Sequence, residues 1–379
     1  MTTRRHVIYL SGSRADFGLM RSTLLQAAGN PALRVQVAVT GMHLSTAHGH
    51  TVDDIRAAGL TVCGEVPVNV TTRTRASMAG SIGECLQGMT QLLQAQRPDF
   101  LMLLGDRGEM LAGAIAALHL GIASVHVHGG ERSGTVDEPV RHAISKLSTW
   151  HLVATDASRE RLIRMGEVPS HVLVTGAPGL DGLVELASGS RKDALLALQM
   201  PPDKPFALAL FHPVVQQSGG AYSQTVAVLT ALVTLGLPVL WLEPNSDAGS
   251  REILKALDEV LLPSGSRRVQ HLGRNAFASA MRHCAVMVGN SSAGIIEAAT
   301  FGTPVVNVGD RQRLRERNEC VLDVPPIQQA ITMALLATLS QGRSPCENHY
   351  GDGRAGERIV QHLASLPIDP CFLEKSNAY

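Results

Sequence analysis

Aromatic side chains are scarce in this chain, 3% of 379 residues, and neither charge is in excess, with Lys+Arg and Asp+Glu at 33 each. The first shortage excludes an interior built on Phe, Tyr and Trp. With hydrophobic residues at 45% the cores must be assembled from Ala, Leu, Val and Ile, which suits strands buried on both faces and covered by small-residue helices. The second shortage excludes the basic footprint that nucleic acid or an anionic membrane surface demands, so neither is expected as a partner. Six cysteines, Cys63, Cys85, Cys284, Cys320, Cys346 and Cys371, are scattered without a CxxC or Cys/His ligand spacing. They read as reduced thiols of a cytoplasmic protein, with no metal site expected. No segment reaches the roughly 20 apolar residues of a membrane helix. The apolar run at residues 7–10, which follows two arginines, is too short for an export signal and the right length for a first buried strand.

What is present is alternation. Short apolar runs at residues 6–10, 34–39, 100–104, 123–127, 151–154 and 171–174 are separated by helical periods, and a second such series begins near Pro205 with runs at 206–211, 238–242, 285–288 and 304–308. Strands alternating with helices predict parallel sheets. The chain is expected to be α/β, with two Rossmann-like parallel-sheet domains. The breaker Thr175-Gly176-Ala177-Pro178-Gly179 places the boundaries at 1–178 and 179–353, with a terminal helix and tail at 354–379 returning to the first domain.

Polar residues concentrate where these runs end, and open α/β sheets bind ligands at the carboxyl ends of their strands. In the first series, Leu104 leads into Gly105, Asp106, Arg107 and Glu109, and Val127 leads into His128-Gly129-Gly130-Glu131 and then Asp137, Glu138, Arg141 and His142. Arg14 and Ala15 follow the first run, before a helix expected from about Leu19, and His43, His48 and His50 follow the second. The spacing of those three histidines suits no helix face and no acidic ligand lies among them, so they read as loop histidines near a polar substrate rather than metal ligands.

In the second series His212 and Asn245 lie just past strand ends. The sharpest element is Gly289-Asn290-Ser291-Ser292-Ala293-Gly294, opening a helix expected to contain Glu297, with Arg311 past the neighbouring strand. Asn and Ser cap helices, and the free amides of a helix N-terminus favour phosphate oxygens. Glu297 can accept hydrogen bonds from ribose hydroxyls. A cleft with a nucleotide-linked substrate is expected, its diphosphate toward the second domain and its other half toward the acids and histidines of the first.

The motifs GSRADFG, TGMHL, GDRGE, HGGERSGTVDEPVRHAISKLS, FHPV, PNSDAGS and VGNSSAGIIEAATFGTPVVNVGDRQ, in this order over nearly the whole chain, resemble those of the hydrolysing UDP-N-acetylglucosamine 2-epimerases of sialic-acid and related nonulosonic-acid synthesis. The resemblance implies a glycosyltransferase-B-like fold, no organic cofactor, a homo-oligomer (dimer or tetramer) and a hydrolase acting at a glycosyl bond. UDP-N-acetylglucosamine plus water would give N-acetylmannosamine plus UDP, by anti-elimination of UDP to a glycal and then hydration.

It further implies Asp106, Glu131 and Asp137 as acid–base groups, Arg107 and Arg141 as orienting partners, and His212 beside the leaving diphosphate. Arg14, Ala15, His43, Asn290, Ser291, Ser292, Glu297 and Arg311 would hold the UDP-sugar, with Asn245 and the backbone near Leu272 close to nucleotide or sugar. One departure stands out. Where N-acetylmannosamine-forming members carry a glutamate before the Gly-Gly pair, this chain has His128, a base whose ordinary pKa of about 6.5 suits proton transfer near neutrality. The resemblance leaves three outcomes, that His128 keeps the role with a changed pH profile, that Glu131 takes it, or that the change marks an alternative substrate, the UDP-2,4-diacetamido-2,4,6-trideoxyglucose of the legionaminic-acid pathway. A GT-B glycosyltransferase would share the architecture but would need an acceptor pocket and not this density of acids.

Overall fold

The computed structural model describes residues 4–46, 49–72, 74–245, 247–368 and 373–379; His48 and Cys371, named above, lie outside them. The chain forms two units: one of Met1–Glu131, Asp137–Asp181 and Tyr350–Tyr379, the other of Arg132–Val136 and Gly182–His349. The sequence reading leaves residues 132–136 in the first domain, whereas this short loop groups with the second unit.

The first unit holds seven strands, β1 (Arg5–Ser11), β2 (Leu33–Thr40), β3 (Val62–Val66), β4 (Phe100–Leu104), β5 (Ala123–Val127), β6 (Trp150–Val153) and β7 (Val172–Val174). They form one parallel sheet in the order β3-β2-β1-β4-β5-β6-β7, with Val7 of β1 opposite Val35 on one side and Phe100 on the other. Residues such as Ile8, Tyr9, Leu101 and Met102 are fully buried, as expected of strands covered by helices on both faces. Strand order reverses between β1 and β4, the switch point at which such sheets bind ligands.

The helix Ala355–Ser365 belongs to this unit and packs on the helix Arg14–Gly29, with Ile359, Val360 and Leu363 in one cluster with Phe17, Met20 and Leu24. Each such side chain, fully buried, contributes about 1.5–3 kcal/mol. The Asp181 carboxylate accepts the Ala355 N–H at 2.9 Å and also that of Gly356, and the Arg5 guanidinium donates to the Leu363 and Leu366 carbonyls, so both ends of the returning helix are capped.

The second unit carries β8 (Ala207–Leu210), β9 (Val239–Leu242), β10 (Arg267–Val269), β11 (Val286–Gly289), β12 (Val305–Val308) and β13 (Val321–Val324), all parallel, ordered β10-β9-β8-β11-β12-β13. Its switch point lies between β8 and β11.

Two helices depart from expectation. The one expected from Leu19 begins at Arg14, because Ser13 and Asp16 form a reciprocal capping box, placing Arg14 and Ala15 in the first turn. The one expected to contain Glu297 runs only over Ser292–Ile296, with Glu297 as its C-cap before a tighter turn Ala298–Phe301.

Candidate active site

In the first unit a hydrogen-bonded string joins residues from three segments. The buried Arg141, on the helix Asp137–Leu147, forms an ion pair with the Asp106 carboxylate and donates through Nη1 to the Glu131 carbonyl at 2.9 Å. The Glu131 side chain in turn contacts His128 Nδ1. A carboxylate can only accept, so His128 carries its proton on Nδ1 when neutral, leaving the lone pair on Nε2. His128 sits just past β5 with φ of 62°, in the left-handed region that non-glycine residues rarely occupy. Its N–H donates to the Leu152 carbonyl at 3.1 Å, and Glu131 is 3% exposed, so the strained residue is held from both sides.

Asp137 and Glu138 open the Arg141 helix, where carboxylates are favoured by the amide dipoles. Arg107 lies at the turn after β4 and approaches the Glu109 carboxylate at 3.4 Å, while Arg14 approaches Asp54 at 3.3 Å. Ala15 is exposed in the first turn of its helix.

His43 differs from its expected role. It is fully buried; its Nε2 pairs with Ser11 Oγ at 2.8 Å and its Nδ1 with Thr51 Oγ1 at 2.6 Å. Burial lowers its pKa, which favours the neutral ring. Both nitrogens are used inside the protein, so His43 supports the turn after β1 instead of meeting a substrate. The same turn is gathered by Asp16, which accepts the Gly12 N–H at 2.9 Å and the Ser13 N–H at 2.8 Å and whose pKa burial raises.

In the second unit the ends of β8 and β11 are tied together by one side chain. Asn290 Oδ1 accepts the His212 N–H at 2.7 Å and Asn290 Nδ2 donates to the His212 carbonyl at 2.8 Å. A side chain at Gly289 would place its Cβ 1.8 Å from the Leu210 carbonyl oxygen, so the close approach of these strand ends requires glycine. Arg311 Nη1 and Gln312 Nε2 both donate to the Asn290 carbonyl, at 3.1 and 3.0 Å. The Asn245 N–H donates to His212 Nδ1 at 3.3 Å, so a neutral His212 carries its proton on Nε2, the reverse of His128.

Ser291 caps the short helix that Ser292 begins. Five residues give a weak dipole, and what this turn offers an anion is chiefly free amides. Glu297 is buried and paired with Arg274 Nη1 at 2.7 Å, and Leu272 lies half-buried in the loop after β10, packed on the core. Among the described residues no cluster of three or more His, Cys, Asp or Glu is arranged to hold a metal ion, and no helix is long and apolar enough to cross a membrane.

The sequence reading missed His126 and Ser145, which flank the Asp106–Arg141 pair, Gln312, which doubles the Arg311 contact, and Arg274. A titratable residue flanked by Val125 and Val127 in a short, mostly buried strand was the available signal for His126.

A profile of the UDP-N-acetylglucosamine 2-epimerase family matches residues 26–364. The chain is 45% identical over 375 residues to the hydrolysing UDP-N,N'-diacetylbacillosamine 2-epimerase of Legionella pneumophila, covering 99% of this chain and 100% of the relative. It is 29% identical to the UDP-N-acetylglucosamine 2-epimerase of Neisseria meningitidis, over 92% of this chain and 91% of that one. Among solved structures, the UDP-GlcNAc 2-epimerase from Neisseria meningitidis bound to UDP-GlcNAc superposes with a TM-score of 0.79 at 18% identity, over 94% of this chain and 99% of that one, a likeness of fold.

Proposed function

This chain belongs to the UDP-N-acetylglucosamine 2-epimerase family and to its hydrolysing branch, and on that footing we propose that its substrate is UDP-2,4-diacetamido-2,4,6-trideoxyglucose (UDP-N,N'-diacetylbacillosamine). Water and this sugar nucleotide give UDP and the free sugar inverted at C2. The observation that carries the choice is the full-length 45% identity to the relative of that name, against 29% to the one named for UDP-N-acetylglucosamine. His128 in place of the glutamate base supports it. UDP-N-acetylglucosamine is the second reading.

The chemistry removes the C2 proton as the C1–O bond to UDP breaks, then adds hydroxide at C1 and a proton at C2 on the other face. Asp106, His128, Glu131 and Asp137 are the acid–base groups in this reading. His128 Nε2, the nitrogen left with the lone pair, serves as a base, and Arg141 orients Asp106 and the Glu131 backbone with Arg107 nearby. His212, with its proton on Nε2, donates to the departing diphosphate. Asn290, Ser291, Ser292 and Arg311 hold the phosphates. Arg14, Ala15, Asn245, Glu297 and the backbone at Leu272 lie to nucleotide or sugar.

Turnover of both UDP-sugars in deuterated water tests the reading. The expected result is a kcat/KM at least about tenfold higher on the diacetamido sugar, since a pocket built to pair an extra amide discriminates strongly against its absence, with deuterium at C2 of the released free sugar. Equal or better turnover of UDP-N-acetylglucosamine overturns the substrate. Transfer of the sugar to an acceptor without C2 exchange would mark a glycosyltransferase.

A further inference from the structure

We propose that His126 is a positioning residue for proton transfer, clipping the turn that carries Asp106 to the helix that carries Arg141; this rests on the reading of Asp106 as an acid–base group. His126 lies on β5, fully buried. Its Nε2 donates to the Gly105 carbonyl at 2.7 Å, the residue whose peptide runs directly into Asp106. Its Nδ1 lies 3.0 Å from Ser145 Oγ, one helical turn beyond Arg141. The two segments that meet in the Asp106–Arg141 ion pair are thus also joined, a few ångströms away, through one imidazole.

Three observations separate this arrangement from an ordinary core histidine. Burial pushes the ring down to about 3, so it stays neutral across the working range. Neutral, with Nε2–H given to a carbonyl, its Nδ1 is an acceptor that shares the single Ser145 hydroxyl proton with the Arg141 carbonyl, 3.1 Å from Ser145 Oγ, so the contact reaches the Arg141 backbone itself. Space is reserved for the clip, since a Cβ at Gly129 would lie 2.9 Å from His126 Nδ1 and 3.0 Å from Ser145 Oγ. The far end of the same helix is anchored independently, where Lys375 Nζ donates to the carbonyls of Ser145 at 2.8 Å and Ser148 at 2.6 Å. The helix is therefore fixed at its end, and His126 sets its distance from the Asp106 turn.

A ring that only fills the core is replaceable by another ring, whereas a clip needs a donor at the Nε2 position. In the full chain, His126→Phe is expected to lower kcat on the order of thirtyfold with KM and UDP affinity within about twofold, because a displacement near 1 Å of an acid–base group costs up to about a hundredfold. His126→Gln, whose amide nitrogen reaches the Nε2 position, is expected to stay within about fivefold of wild type even where its melting temperature falls as far as that of His126→Phe. Should His126→Phe not fold, Ser145→Ala removes the helix side of the clip, together with the hydroxyl's contact to the Arg141 carbonyl, and is expected to lower kcat severalfold at unchanged KM. The proposal is overturned if the Phe and Gln variants lose kcat equally, if His126→Phe turns over normally, or if Ser145→Ala keeps wild-type kcat. Asp106→Asn assayed alongside tests the underlying reading separately: full turnover in that variant sinks the role of Asp106, whereas a crippled Asp106→Asn beside a normal His126→Phe sinks only the clip.

Discussion

The two units use the same parallel-sheet plan and gather different chemistry at their strand ends. In the first, the segments after β4 and β5 are joined through charged and titratable side chains, Asp106, Arg141, Glu131 and His128. In the second, the segments after β8, β11 and β12 are joined through two amide side chains, Asn290 and Gln312, backbone groups and one arginine, centred on Asn290. The histidines make the contrast sharpest. His128 is offered a carboxylate and keeps its Nδ1 proton; His212 is offered a backbone N–H and gives up that site. Histidines past strand ends of the two units, when neutral, are thereby held in opposite tautomers, with the lone pair on Nε2 in the first and the proton on Nε2 in the second.

If that division holds, damage to the first unit appears in turnover and damage to the second in nucleotide affinity. The largest effect is expected at Asp106. Asp106→Asn keeps the shape but loses the carboxylate, and kcat should fall about a thousandfold, within the range of positioned acid–base groups, while UDP affinity measured by calorimetry changes less than about threefold. A parallel loss of UDP affinity would break the comparison. Arg311→Ala should do the reverse, weakening UDP about ten- to a hundredfold, the cost of a charge-assisted contact to phosphate, with kcat at saturating substrate nearly unchanged. If kcat collapses instead, the second unit takes part in the chemistry more directly than its amide-rich strand ends suggest.

Much of this was legible from the sequence where burial and chemistry agree. Apolar runs ending in small and polar residues marked ten of the strands' neighbourhoods, and the turn residues Gly105, His128 and Asn290 fall where the runs implied. What was illegible has local causes. β10, Arg267-Arg268-Val269, has no apolar pattern to read, and β13 is half-exposed at the sheet edge, with Leu322 and Asp323 open to solvent. His43 looked like a loop ligand because its partners, Ser11 and Thr51, are brought to it by the fold and not by spacing. His126 was passed over for the same reason: Gly105 and Ser145 lie 21 and 19 residues away along the chain.

The smallest expected effect concerns stability, and it sharpens the same contrast. In the first unit burial lowers the pKa of His6, His43, His126, His142, His151, His171 and His362, against His283 alone among the resolved shifts of the second. A histidine depressed in the folded state binds its proton first in the unfolded chain, so stability is intact above about pH 6.5 and declines as pH falls toward the folded value. For His126 alone, held at about 3, the loss between pH 7.5 and pH 5 is roughly 2 kcal/mol. Asp16 and Asp181, raised by burial, act with the opposite sign, but only once pH nears the carboxylate range. Each unit holds one of the two tryptophans, Trp150 in the first and Trp241 in the second, so Trp241→Phe and Trp150→Phe give separate reporters. Because the Trp150 ring lies 4.2 Å from that of His171, whose protonation alters emission, the urea midpoint and not the intensity is the quantity to follow. The Trp150 midpoint should fall between pH 7.5 and pH 5 by more than the Trp241 midpoint. Equal shifts would mean either that the two units unfold as one or that the buried histidines carry no such penalty, and the His126→Gln chain at pH 5 separates these, since removing the most depressed histidine flattens the dependence only if the penalty is real.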